Sequence, residues 1–213
     1  MAWSAENATR AYLQTMKMGK RPKQLDVSEF ASALAAGNNA QLMVEACSGT
    51  AGPTTLALVA AAHQTGGRVV CILRGPDELC SSKKALGTVA NHIEFVVGDA
   101  QILLLNDYAV ADFMLIDCNM VDHEAVLRSV QVGAKDHGAV VMGYNAFNKG
   151  SCSGSRTVLL PIGGGLQVTR IQAGGQIRGG GARKSRWVVR VDQCTGEEHV
   201  FRVIPSHRKE LRA

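Results

Sequence analysis

Residues 45–52 read Glu-Ala-Cys-Ser-Gly-Thr-Ala-Gly, directly after the apolar run Leu42-Met43-Val44. An acid, then a turn of small residues, then Pro53 at the head of a new apolar segment describes a strand, a loop and a helix. Small side chains let backbone N–H groups approach a ligand, and the helix N-terminus adds partial positive charge. Glu45, Ser48, Gly49 and Thr50 thus form either a nucleotide-binding device or a tight β-α turn. The loop is neither G-x-G-x-x-G nor a P-loop, because no G-K-[ST] follows.

Other residues carry chemistry by type and place. His123 follows Asp122 at the start of a periodic segment, as a general base near neutral pH or as an exposed helix-terminal histidine. Tyr144 and Asn145 close an apolar run, either to touch a substrate or as a strand-ending polar pair. Arg74 ends the run RVVCILR and offers only donors, which suits a phosphate. Cys47 and Cys118 become nucleophiles only beside a base. His63 stands among alanines and reads as structural.

These residues need elements to hold them. Ser4 caps a helix over 3–18 in which Trp3, Ala8, Tyr12 and Met16 share a face, and a second helix over 26–37 is capped by Asp26 or Ser28 and stopped by Gly37. From there strands at 41–47, 68–74, 93–98, 111–117 and 138–144 alternate with helices at 53–65, 77–87, 99–106 and 122–133. The strands lack polar alternation, so helices cover both faces, and repeated β-α units give a parallel, doubly wound sheet. Two hairpins follow, 157–161 with 166–172 and 187–192 with 199–204. Residues 1–40 form N-terminal helices and 41–213 one α/β domain.

The composition sets bounds. The chain has 213 residues, 46% hydrophobic and 19% charged, which is globular. Aromatics are 5%, so the core is aliphatic. A net charge of +5 favours acidic partners such as nucleotides or coenzyme A esters. None of the six cysteines sits in a C-x-x-C spacing, which fits buried free thiols in a reducing compartment. No apolar run approaches the ~20 residues of a spanning helix, so a cytoplasmic protein without a membrane partner is expected. The basic, glycine-rich stretch 173–186 lacks interleaved aromatics, so a solvated loop or a phosphate clamp fits it better than a nucleic-acid partner. The N-terminal helix either covers the ligand cleft or forms a homodimer face.

The order of motifs resembles the class I S-adenosylmethionine-dependent methyltransferases, in their small caffeoyl-CoA and catechol-type O-methyltransferase branch. Val44-Glu45-Ala46 matches the acid that opens the family's first loop. Thr50-Ala51-Gly52-Pro53-Thr54-Thr55-Leu56 is a displaced version of T-G-x-S/T-T-x-x-L. Gly98-Asp99-Ala100, Ile116-Asp117, the run from Gly138 to Asn145, and Pro161-Ile162-Gly163-Gly164-Gly165-Leu166 follow in family order, covering roughly 26–172. The chain is also similar to an uncharacterised plant family with this fold.

That resemblance implies a Rossmann-like, seven-stranded sheet and a methyltransferase acting on a small molecule with S-adenosylmethionine. It puts Glu45 and the 47–52 loop at the methionine end of the cofactor, Asp99 and Ala100 at adenine, and Asp117 under the sulfonium, with Asp117, His123, Tyr144 and Asn145 as catalytic residues. Two departures shape the expectation. The family ends its second strand in an acid that grips the ribose hydroxyls, whereas this chain has Leu73-Arg74. The metal-binding branch ends its fifth strand in Asp-Asn, whereas this chain has Asn145-Ala146, so no catalytic metal is expected. The alternatives are a fold that has lost methyl transfer and binds another ligand or performs non-methylating chemistry in the same crevice, or a nucleic-acid or protein interaction module using the basic tail.

Overall fold

The computed structural model describes residues 3–18, 27–134, 136–147 and 157–173, and the backbone of two further strands at 186–191 and 198–203. The elements run α1 (Ala5–Met18), α2 (Val27–Gly37), β1 (Leu42–Ala46), α3 (Pro53–Thr65), β2 (Arg68–Leu73), α4 (Pro76–Leu86), a 3-10 turn (Gly87–His92), β3 (Ile93–Val97), α5 (Ala100–Leu105), β4 (Phe113–Asp117), α6 (His123–Gly133), β5 (Ala139–Tyr144), β6 (Thr157–Leu160), β7 (Leu166–Ile171), β8 (Arg186–Val191) and β9 (Glu198–Val203). The chain divides into two compact units. In the larger, seven strands form one sheet in the order β3-β2-β1-β4-β5-β7-β6. In the smaller, β8 and β9 pair antiparallel.

The expected seven strands are present, with β1 to β5 parallel and β7 and β6 antiparallel at one edge. The parallel strands are apolar because both faces are covered. Alternate residues point to opposite sides. Met43, Cys71, Phe113, Leu115 and Met142 pack with α2 and α3 on one side. Val44, Val70, Ile72, Met114 and Ile116 pack with α5 and α6 on the other. The order reverses between β1 and β4, so the carboxyl ends of those strands diverge and leave a crevice.

The N-terminal helix corrects one expectation. Ser4 does cap α1, accepting from the Asn7 N–H at 3.2 Å. The buried face, however, is Ala8, Ala11 and Thr15, while Trp3 and Met16 are about half exposed. Small residues let α1 pack closely on α2 and α3, which a face of large side chains would prevent. Trp3 instead lies over Gly37, where any added Cβ would fall within 2.2 Å of its ring. Ser28 lies inside α2 with its hydroxyl unpartnered, so it is not the cap; Asp26 lies outside the described residues. Among the described residues, no helix is long and apolar enough to cross a membrane.

At the far edge of the sheet, the Tyr108 hydroxyl donates to Glu94 at 2.8 Å, and Glu94 also pairs with Arg68. Burial and the bond to Glu94 push the phenol up to about 12. The folded chain therefore keeps this proton longer than the unfolded one. The contribution is complete below about pH 10 and lost as pH rises toward about 12. Tyr108→Phe should flatten that alkaline loss in thermal melts; a slope identical to the parent chain would show that other groups set it.

Candidate functional site

Four loops meet at the carboxyl ends of β1, β2, β3 and β4, and they enclose a cleft of about 370 Å³. Its apolar lining comes from Ile72, Leu73, Ala100 and Met120. Its polar lining comes from Arg74, Asp99 and Asp122, with Cys47 between. The Arg74 guanidinium pairs with the Asp122 carboxylate at 3.1 Å, and both side chains are roughly 40% exposed or more. The bond is thus accessible to water and weak, on the order of 0–1 kcal/mol. Asp99 caps α5, accepting from the Ile102 N–H at 3.1 Å. Leu73 is fully buried, so β2 delivers no carboxylate to the cleft.

A second group gathers behind the cleft. Asp117 ends β4 and is nearly buried. It accepts from Ser48 Oγ, from the Asn119 N–H at 3.0 Å and from Asn145 Nδ2 at 2.9 Å. One carboxylate therefore ties together the loops after β1, β4 and β5. Asn145 has φ +58°, the left-handed region that asparagine tolerates better than most residues, and there its amide reaches Asp117.

Glu45 occupies a third position. It is fully buried and takes no part in lining the cleft. Its two oxygens accept from Thr54 Oγ1 at 2.5 Å and Thr55 Oγ1 at 2.6 Å. Thr55 Oγ1 in turn accepts the Gly52 N–H at 3.2 Å. The acid at the mouth of β1 thus anchors the first turn of α3. Burial holds its carboxyl above the usual range, and the two hydroxyls partly counter that. Tyr144 lies on the same side, and burial, with Glu45, Cys47 and Asp117 nearby, pushes its phenol far up, so it stays neutral.

Of the sequence candidates, Arg74, Asp99 and Ala100 line the cleft, and Ser48, Asp117 and Asn145 interlock beside it. Gly49 and Thr50 sit on the open side of the loop, where a Cβ added at Gly49 would meet nothing within 4 Å. His123 is buried on the inner face of α6, apart from the cleft lining. Its Nδ1 lies 2.9 Å from the Met120 carbonyl, which can only accept, so Nδ1 donates there, and Nε2 is buried without a partner. Cys118 packs under Gly143, where an added Cβ would lie 2.9 Å from its sulfur. Reading the sequence gave Thr54 no role beyond its place in the 50–56 motif and did not single out Met120 or Ile72. The clue for Thr54 was its place in the first turn of α3, close to the acid near the end of β1. The basic stretch 173–185 lies outside the described residues, save Ala173.

Solved structures share this architecture. A Staphylococcus aureus protein provisionally assigned as a caffeoyl-CoA O-methyltransferase superposes with a TM-score of 0.55 at 16% identity, covering 79% of this chain and 93% of that one. A Podospora anserina methyltransferase with bound S-adenosylhomocysteine gives 0.53 at 12% identity, covering 80% and 89%. The O-methyltransferase TomG of Streptomyces achromogenes, in complex with S-adenosylmethionine, gives 0.50 at 17%, covering 81% and 92%. The fold is that of the class I S-adenosylmethionine-dependent methyltransferases. Among curated proteins, none matches the sequence significantly. Residues 1–203 match the family model described as "Protein of unknown function (DUF1442)", and the chain belongs to that family.

Proposed function

We propose that the chain binds S-adenosylmethionine in the cleft and methylates a small molecule. The observation that carries this reading is the cleft itself, placed where the strand order reverses and combining an apolar slot with carboxylates at its rim. Its volume lies in the range of small-molecule sites. Ile72, Ala100 and Met120 suit the faces of a base. Asp99 and Asp122 are acceptors for ribose hydroxyls, so the acid missing from the end of β2 is replaced by one from the loop before α6. The exposed Arg74–Asp122 pair opens at little cost. The open side of Gly49 leaves room for backbone approach.

S-adenosylmethionine supplies an electrophilic methyl group. The chain's own contribution is to orient and to exclude water. Asp117, fixed by three donors, places negative charge beside the cleft, and Tyr144 and Asn145 bound the same end of the sheet. A second reading rests on Arg74. A guanidinium at the end of β2 suits a phosphate, which favours a phosphorylated ligand without methyl transfer.

Calorimetric titration with S-adenosylmethionine and S-adenosylhomocysteine, with and without magnesium, separates the two. The first reading expects micromolar affinity, weakened about ten-fold or more in Asp122→Ala, a loss of roughly 1.4 kcal/mol or more. Silence up to millimolar ligand would end it. The second reading then expects binding of a nucleoside diphosphate or a coenzyme A ester that Arg74→Ala abolishes.

A further inference from the structure

Glu45 and Cys71 are direct partners across the parallel β1–β2 pair. Cys47, one residue beyond β1, continues the same face, its N–H donating to the Ile72 carbonyl at 3.1 Å. The parallel register thus brings together two thiols 24 residues apart, a spacing that matches no zinc motif in the sequence. A carboxylate oxygen and the two sulfurs all lie within 4.8 Å of one another, and all three residues are buried. Neither cysteine is in a disulfide.

The sulfur separation is informative. Cys47 Sγ and Cys71 Sγ are 3.6 Å apart. A disulfide would need about 2.0 Å. Two thiolates at about 2.3 Å from one tetrahedral zinc ion stand about 3.8 Å from each other. The observed spacing is therefore close to that of two ligands on one cation. The third donor is oriented, because Thr54 and Thr55 fix both oxygens of Glu45 as hydrogen-bonding residues commonly fix metal-binding carboxylates. Cys47 also lines the cleft, which gives an ion a path to an otherwise closed cluster.

From this juxtaposition we infer that Glu45, Cys47 and Cys71 form a site for one thiophilic divalent cation of the zinc class. Three protein donors leave one tetrahedral position for a fourth ligand. Two sulfurs disfavour magnesium or calcium, which take oxygen donors. This site is distinct from the Asp117–Asn145 pair. Uptake exchanges the cation for the two thiol protons, M²⁺ + 2 R–SH giving M(S–R)₂ + 2 H⁺, so it strengthens as pH rises.

The test uses the reduced, chelator-stripped full chain. Equilibrium dialysis against Zn²⁺ should show one ion per chain with two protons released. Co²⁺ should give the intense absorption of thiolate-to-cobalt charge transfer. Cys47→Ser and Cys71→Ser should each remove that absorption, and Thr55→Val should weaken uptake about ten-fold. A cobalt spectrum without the thiolate bands overturns the inference, and it does so on the unaltered chain even if the serine variants fail to fold. Uptake unchanged in both folded serine variants overturns it too, since the ion would then sit elsewhere. So does a Cys47–Cys71 disulfide found by peptide mass mapping in a chain that takes up no zinc.

Discussion

Replacing Asp117 by alanine should lower the melting temperature by about 4–8 °C and abolish ligand binding in the cleft. The stability part follows from counting donors. Ser48, the Asn119 N–H and Asn145 Nδ2 all use this carboxylate. Asn119 is exposed and can turn to water, whereas Ser48 and Asn145 are half-buried. Buried donors without acceptors cost about 1–3 kcal/mol each, so a total near 2 kcal/mol is expected after discounting Asn119. The binding part follows from position: without Asp117 the loops after β1, β4 and β5 lose their common tie, and Asn145 loses the partner that rewards its left-handed backbone. Asp117→Asn keeps one acceptor oxygen and should retain most of the stability while losing the charge. Calorimetric melts and ligand titration of both variants check this. An alanine variant that melts within a degree of the parent would show that the three bonds carry no weight.

The larger architecture was legible because it depends on patterns that local sequence carries. Continuous apolar runs such as Val69-Val70-Cys71-Ile72 mark buried parallel strands, and Pro53 marks the start of α3. The end of the sheet at which ligands bind follows from the same alternation. What did not follow was how polar side chains divide among themselves. Glu45 read as an acid facing the cleft, but its partners lie nine and ten residues on, and only the angle between β1 and α3 shows that they reach it. The pairing of Asp122 with Arg74 did not follow either, because only the fold brings the two together. The Cys47–Cys71 contact depends on strand register, which spacing alone does not give. On α1, the pattern of large apolar residues misled because close helix packing selects the small ones.

Those same hydrogen bonds make Glu45 the second test. In zinc-free protein held in chelator, Glu45→Ala should cost about 3 kcal/mol or more, because two hydroxyls lose their acceptor and a fully buried side chain leaves a void. For a chain of this length that corresponds to a fall of about 6–12 °C in melting temperature. Glu45→Gln keeps the volume and one carbonyl acceptor, and its amide can donate to the other threonine oxygen, so it should recover most of the loss. The comparison separates two roles that the residue's place at the mouth of β1 would otherwise confuse. An acid kept for a ligand would leave the melt of the alanine variant unchanged and remove only binding. An acid that anchors α3 lowers the melt first, and any loss of binding follows because Thr54, Thr55 and the 47–52 loop are no longer held against the sheet. Hydrogen exchange at the N–H groups of Gly52 and Leu56 gives a local readout, since both are bonded within this first turn. They should exchange faster in Glu45→Ala and stay protected in Glu45→Gln, whereas equal protection in all three chains would mean that α3 is held by its apolar face alone.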